Sequence, residues 1–293
     1  MKDYIDVDGY KVKLTNLNKI LWPKLGIKKF DYIEILINIS HYIIPHTKDR
    51  ILTVIRYPDG VKGKSFYQKK VPNYAPDWID LIEYKGSNYI NLNKRATLVW
   101  LGNLASLEFH VTFNKYQNNN PSYLVFDLDP SKDQKFNEVI EISLIIYDTL
   151  KALGIKSYVK TSGKSGLQIY IPTNNKYNYN EIRKLNKFFG LYFSQKYPSR
   201  ITIERNKKKR DNRLYFDYLQ TWNKKTIVSV YSPRANEYAG ISMPIKWSEL
   251  KKGIEPKDFN LLNVNKRLKE YSDLFINLEK DYNKSLDDIL KRI

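Results

Sequence analysis

Apolar and polar positions recur along this chain with two different periods, and the switches between them mark its elements. Tyr32, Ile33, Leu36, Ile37 and Ile39 return at helical spacing, which predicts a helix from about 30 to 42. Apolar residues three or four apart predict further helices over 97–107, 134–152 and 179–196, and the tail from 263 reads as one or two amphipathic helices. Runs rich in β-branched and aromatic residues predict strands at 51–57, 108–113, 123–129, 156–161, 167–172, 200–204, 213–219 and 226–232. These strands arrive in hairpin-like groups separated by helices, without strict β-α-β alternation. The expected class is therefore α+β, with mixed or antiparallel sheets flanked by helices. Polar clusters at 114–122, 172–180 and 205–213 are the loops, and neither an internal repeat nor a Ser/Gly/Pro-rich linker divides the chain.

Composition narrows the class of function. The 293 residues, 42% hydrophobic and 28% charged, suffice for a sizeable core. No apolar run reaches the roughly 18 residues of a membrane span. The start, "MKDYIDVDGYKVK", has no apolar segment of the kind a secretory signal carries. The absence of Cys excludes disulfides and thiolate-bound metal, and fits a cytoplasmic address. Charge adds more: 50 basic residues against 31 acidic ones give a net charge of +19. Such a field concentrates polyanions, of which nucleic acid is the usual one. A Lys-rich proteome would raise Lys without by itself producing this asymmetry, so nucleic acid is the preferred partner and a membrane is not expected.

Against that background the run "YLVFDLDPS" (123–131) stands out. On a strand, Asp127 and Asp129 share one face while Leu128 points to the other. Two close carboxylates repel, and burying them unpaired costs several kcal/mol, whereas a hard divalent cation reverses the sign. A D-x-D pair alone is more often a strand end meeting solvent. A third acid, Asp217, follows apolar residues in "RLYFDYLQ", on another predicted strand, and strengthens the case for a metal site. Between them "VKTSGKSGLQIYIP" (159–172) joins two strands through a turn of Gly163, Gly166, Ser162, Ser165 and Lys164. Small residues there let backbone amides approach phosphate oxygens, with the hydroxyls and the Lys adding donors. The spacing is not that of a Walker A loop, and a plain Gly-rich hairpin is the simpler alternative.

Seven segments in order carry a resemblance: "NLNKILWPKLGIKK", "RYPDGVKGKSFYQKKVPNYAPDWI", "LVWLGNLASLEFH", "LVFDLDPS", "TSGKSGLQIYIP", "LYFDYLQ" and "VSVYSPRA". The chain resembles the polymerase domain of bacterial ligase D, within the archaeo-eukaryotic primase superfamily. The resemblance implies an archaeo-eukaryotic primase-like catalytic core with RRM-like sheets. It implies one catalytic domain over 1–293, in which an N-terminal DNA 5′-phosphate-binding part (about 1–95) packs on a core (about 96–293). It implies template-directed nucleotidyl transfer by two Mn²⁺ or Mg²⁺ ions on NTP or dNTP, with ribonucleotides favoured, to extend primers and fill gaps at DNA ends in non-homologous end joining.

Carried over position by position, Asp127, Asp129 and Asp217 match the metal-binding triad. Ser162, Gly163, Lys164, Ser165 and Gln168 match the triphosphate cradle, and His110, Arg210, Gln220 and Arg234 match positions that meet the incoming nucleotide. Asn16, Lys19 and Lys29 match the pocket for a 5′-phosphate, and Phe66 and Tyr67 an aromatic pair that stacks on template bases. Without the resemblance, His110 reads as a core histidine, Arg210 as part of a solvated basic run, and the Lys residues as ordinary surface charge. Phe66 and Tyr67 then read as strand residues of which only one is exposed. Two positions depart from the family: Gln168 stands where it usually has His, and Lys164 is shifted by one residue in the turn. The implied partners are DNA with a 5′-phosphate, Ku and a separate DNA ligase, in the cytoplasm at the nucleoid. The chain is expected either to stand alone or to be an excised fragment, and Met1 with the full set of motifs favours the first. Missing Cys argues against a replicative primase small subunit. The alternatives are a de novo primase on single-stranded template and a non-catalytic DNA-end binder.

Overall fold

A computed structural model describes residues 3–293, which form two compact units. The first combines residues 3–117, Thr226–Ser242 and Lys257–Ser272; the second combines Asn118–Lys225, Met243–Pro256 and Asp273–Ile293. This division crosses the expected boundary near 95, because the strand Ser106–Thr112 pairs with Leu52–Arg56 and belongs to the first unit.

In the first unit a four-stranded antiparallel sheet runs in the order Thr226–Val228, Ser106–Thr112, Leu52–Arg56, Phe66–Gln68. The helix Lys29–Thr47 starts where the Lys28 amide donates to Asp31 Oδ2 (2.8 Å), satisfying one of the amides a helix start leaves unpaired. Its apolar stripe of Tyr32, Ile33, Leu36, Ile39 and Ile43 is buried. Tyr32 ends that stripe with a hydroxyl that donates to the Ser106 carbonyl (2.6 Å). The second helix, Arg95–Asn103, packs against it at Gly102, where a Cβ would stand 2.6 Å from Leu36 Cδ1. Three small hairpins complete the unit: Asp3–Val7 with Tyr10–Leu14, Ile20–Trp22 with Ile27–Lys28, and Leu81–Tyr84 with Ser87–Ile90.

The second unit is built on a six-stranded sheet in the order Ile201–Thr202, Leu214–Asp217, Tyr123–Asp129, Leu167–Pro172, Tyr158–Thr161, Pro244–Ile245. All its pairings are antiparallel except that of Ile201–Thr202 with Leu214–Asp217. The helices Phe136–Ala152 and Tyr179–Lys196 accompany it. Asn178 opens the latter with a capping box: its side chain accepts from the amides of Asn180 (2.9 Å) and Glu181 (3.1 Å), and Glu181 accepts from the Asn178 amide (2.8 Å). Aromatic packing joins this helix to the strands. Phe126 lies 5.2 Å from Phe189 and 4.8 Å from Phe216, ring centre to ring centre. The strand Tyr123–Asp129 is thereby fixed at the middle of the sheet, between Leu214–Asp217 and Leu167–Pro172.

Most expected elements form, with shifted ends. The helix expected over 97–107 stops at Asn103, because Ala105 takes a positive φ of 56° and Leu107, Phe109 and Val111 then alternate as a buried strand. The strand expected over 213–219 stops at Asp217, whose carboxylate accepts the Leu219 amide (3.0 Å) and turns the chain. The three small hairpins, and the strand Phe66–Gln68 at the sheet edge, lie in stretches whose polar residues hid them from a pattern of alternation. In the tail, Val264–Tyr271 and Ser285–Leu290 are the helices that form.

Removing the fully buried Phe126 ring should cost about 3–5 kcal/mol of stability. Urea unfolding of Phe126→Ala measures it, and a loss below about 1 kcal/mol would contradict the packing described.

Candidate active site

Directly opposed residues in an antiparallel ladder project to the same face. Asp127 is opposed by Asp217 on one neighbouring strand and by Gln168 on the other, and Gln168 is in turn opposed by Lys160. One rung of the sheet therefore reads Asp217, Asp127, Gln168, Lys160, with Asp129 two residues along on the same face. Gln168 bridges the rung. Its Nε2 donates to Asp127 Oδ1 (2.9 Å), and its Oε1 accepts from Lys160 Nζ (2.6 Å). Lys160 is fully buried, so its ammonium acts inside the sheet and not in solvent. Asp217 is held by the Tyr215 hydroxyl (3.1 Å) and the Leu219 amide (3.0 Å), both donating to Oδ1.

Burial, and then the negative charge of Asp129, push the Asp127 carboxyl up to about 8; the Gln168 hydrogen bond opposes this, Asp217 adds to it, and Lys160 again opposes it. A proton thus sits where the structure lacks positive charge, and a hard divalent cation would replace it. Three carboxylates on one face are the donor set such an ion prefers. Among the described residues no three His, Asp or Glu side chains are grouped closely enough to hold a metal ion by themselves. The residues present fit part of a coordination shell, of the kind that phosphate oxygens and water complete.

The turn beside this rung is self-organised. Ser162 Oγ accepts from the amides of Lys164 (3.2 Å) and Gly166 (3.1 Å), and the Ser162 amide donates to the Gly166 carbonyl (2.9 Å). Two amides expected to reach for phosphate therefore point into the turn. Gly163 takes a positive φ of 73°, and Gly166 passes so close to the acidic strand that a Cβ would lie 2.4 Å from the Leu128 carbonyl oxygen. Lys164 and Ser165 are exposed at its tip. Ser165 also lines a cavity of about 520 Å³ with Asp129, Lys132, Lys207 and Arg210. Arg210 is buried and pinned there: Nε donates to the Glu204 carbonyl (3.0 Å), a terminal nitrogen donates to that of Arg205 (3.2 Å), and its carbon stacks 3.7 Å from the Tyr215 ring centre. Gln220 follows in the turn after Asp217, its amide donating to the Asp217 carbonyl (3.2 Å).

The remaining candidates belong to the first unit. His110 and Arg234 meet at one carboxylate, Glu108, with His110 Nε2 and Arg234 Nε each 3.1 Å from Glu108 Oε2. Asn16, at φ 51°, accepts the Lys19 amide (2.9 Å), and the Lys29 amide donates to the Lys19 carbonyl (2.8 Å), so the three positions are tied by backbone bonds. Lys29 is buried, contrary to an ordinary surface Lys, and donates to the Thr15 carbonyl (2.9 Å). Lys19 pairs with Asp59 (3.1 Å). Burial first, then the charges of Lys19 and Arg56, bring the Lys29 ammonium down to about 8. Phe66 and Tyr67 are both exposed, 46% and 69%, so the edge strand offers two rings where one was the default expectation. Arg56 lies over the Phe66 ring at 5.1 Å.

Sequence reasoning did not single out Lys160 or Glu108. Each had a signal, a charged residue in the alternating register of a site residue: Lys160 two residues before Ser162, and Glu108 two before His110.

A sheet that gathers three carboxylates from adjacent strands beside a basic cavity defines a class: proteins that transfer nucleotidyl groups. The family described as LigD, primase-polymerase domain, matches residues 28–275, and the chain belongs to it. It is 37% identical over 262 residues to the Bacillus subtilis bifunctional non-homologous end joining protein LigD, covering 89% of this chain and 43% of that protein. With the Mycolicibacterium smegmatis multifunctional non-homologous end joining protein LigD it shares 28% identity over 278 residues, 92% of this chain and 36% of that one. The chain thus spans about two fifths of the length of these relatives. The solved polymerase domain of Mycobacterium tuberculosis ligase D in complex with DNA superimposes with a TM-score of 0.86 at 26% identity, covering 93% of this chain and 99% of that one. The fold is that of the LigD polymerase domain, and the family is one of nucleotidyltransferases.

Gly166→Ala should force the turn away from Leu128 and lower stability by about 1–3 kcal/mol. Thermal unfolding of the variant at the wild-type temperature would contradict the close approach.

Proposed function

We propose that this chain is a template-directed polymerase that extends primers and fills short gaps at DNA ends in non-homologous end joining, with ribonucleotides preferred. The observation that carries the reading is the opposition of Asp127 and Asp217 across neighbouring strands, with Asp129 on the same face, in a chain of this family. Asp127, Asp129 and Asp217 would hold Mn²⁺ or Mg²⁺. Such ions, when bound, lower the pKa of a primer 3′-hydroxyl and offset charge on the leaving pyrophosphate.

The chain's own residues supply position and charge. Gln168 orients Asp127 through its amide, and Lys160 supplies one step further along the rung the positive charge that an amide cannot carry. A Gln in place of the family's usual His is thereby accommodated. Arg210, Ser165 and Lys164, with Lys207 beside them, offer cations and donors to a triphosphate, Arg210 from a pinned geometry that needs no reordering. Ser162 and Gly163 shape the turn that presents them. His110, Arg234 and Gln220 are assigned to the incoming nucleotide.

Asn16, Lys19 and Lys29 are assigned to a 5′-phosphate. Lys29 crowded by like charge is a site in want of an anion, and it lies at the start of a 19-residue helix, whose amide dipoles favour one. Phe66 and Tyr67 are assigned to template bases, a sequence-tolerant contact worth about 1–3 kcal/mol per base. Gapped DNA, Ku and a separate ligase are the partners this reading names, in the cytoplasm at the nucleoid. Among the described residues no helix is long and apolar enough to cross a membrane.

Primer extension on gapped, 5′-phosphorylated DNA with Mn²⁺ tests the reading: incorporation is expected, and Asp127→Ala should reduce it on the order of 100-fold or more. Wild-type extension by that variant would remove the metal assignment, and initiation on unprimed template would favour de novo priming. The 5′-phosphate pocket has its own test. A Lys is charged below its pKa, so the binding preference for a 5′-phosphorylated over a 5′-hydroxyl gap should be greatest below pH 8 and decline above it. It should vanish in Lys19→Gln/Lys29→Gln. Equal losses on both substrates would mean that these Lys residues serve only the general field.

A further inference from the structure

We infer that Glu108 is a positioning residue for the incoming nucleotide, holding His110 and Arg234 as one preset pair; this rests on the assignment of those two residues to the nucleotide.

The strand Ser106–Thr112 alternates Ser106, Glu108, His110 and Thr112 on one face with Leu107, Phe109 and Val111 on the other. Glu108 lies within the polar face yet is wholly inaccessible, 0% exposed, whereas the His110 and Arg234 side chains are 17% and 12% exposed. A buried carboxylate is tolerated only when paired and hydrogen-bonded. Glu108 meets that condition through hydrogen bonds between Oε2 and His110 Nε2 (3.1 Å) and from the Ala235 amide to Oε1 (3.2 Å), and through an ion pair with Arg234, whose Nε lies 3.1 Å from Oε2 without hydrogen-bond geometry. The Ala235 bond ties the backbone just after Arg234 to the strand that carries His110, so both side chains are referred to one fixed point.

The chemistry follows from that arrangement. An ionised carboxylate only accepts, so the His110 Nε2 that meets it carries a proton, which fixes the orientation of the ring. Arg234 is engaged through Nε, the nitrogen nearest its stem. The titratable and charged groups that face Glu108 are His110, Arg234, Tyr32 and Tyr57; burial and Glu108 together raise both tyrosines, which stay neutral. The buried negative charge therefore does not reach an approaching triphosphate unmasked. What reaches it is a pair of partly exposed side chains whose geometry is set before binding, which spares the ordering cost of two mobile side chains.

The test is steady-state extension of a primer with ATP opposite a templating thymine, on the full chain. Glu108→Gln keeps the side chain's shape and removes its charge. KM for ATP should rise on the order of tenfold with kcat changed by less than about threefold. His110→Ala and Arg234→Ala should raise KM similarly and add little to Glu108→Gln in double variants. Wild-type KM in Glu108→Gln, while His110→Ala raises KM, would overturn the positioning role and leave the nucleotide assignment intact. Unchanged KM in both His110→Ala and Arg234→Ala would overturn that assignment, and the inference with it. Should Glu108→Gln fail to fold, Glu108→Asp keeps the charge and withdraws it by one methylene: KM should rise, and an unchanged KM would overturn the role.

Discussion

Like charge gathered on one rung of an antiparallel sheet is the constraint on which the second unit is organised. Asp127 and Asp217 are opposed across strands that Phe126 and Phe216 lock to the helix Tyr179–Lys196. Neither acid can retreat without breaking that apolar packing. The repulsion is met by what flanks it: Gln168 and then Lys160 on one side, the Tyr215 hydroxyl and Leu219 amide on the other. The compensation is incomplete, and with burial as the larger cause the Asp127 carboxyl is raised. A site left short of positive charge by a rigid core is suited to a cation that arrives with its substrate.

The first unit solves a related problem with the opposite sign. His110 and Arg234 stand partly exposed, and Glu108 is placed where solvent cannot reach, against the groups it holds. In both units, then, a fully buried charged residue stands beside the candidate site residues on the same sheet face: Lys160 on the rung of Gln168 and Asp127, Glu108 two residues before His110 and against Arg234. Burial makes each such pair strong in its effect and costly to break, because a lone charge left inside has neither water nor partner.

Many of the elements could be read from the residues. The strands Tyr123–Asp129 and Leu167–Pro172 and the helix Tyr179–Lys196 have the bounds that periodicity predicts, since each is bordered by Pro, Gly or a capping Asn. The acids of the rung were legible for the same reason, at the ends of apolar runs. The short hairpins of the first unit were not, because strands of two to five residues with one solvated face leave too few buried positions to set a period. Nor was the division into units, which depends on pairing between Ser106–Thr112 and strands far away in the sequence on either side.

The sequence by itself determined the alternation that puts Asp127 and Asp129 on one strand face, the small residues of the turn, the basic excess and the order of motifs that marks the family. These are local properties, fixed by backbone period and side-chain type. Which residues stand opposite one another was decided by the tertiary structure alone. Register between strands places Gln168 against Asp127 and Lys160 against Gln168, and Glu108 meets Arg234 across more than a hundred residues of chain. Such pairings depend on where a strand docks, which is settled by the packing of the whole core.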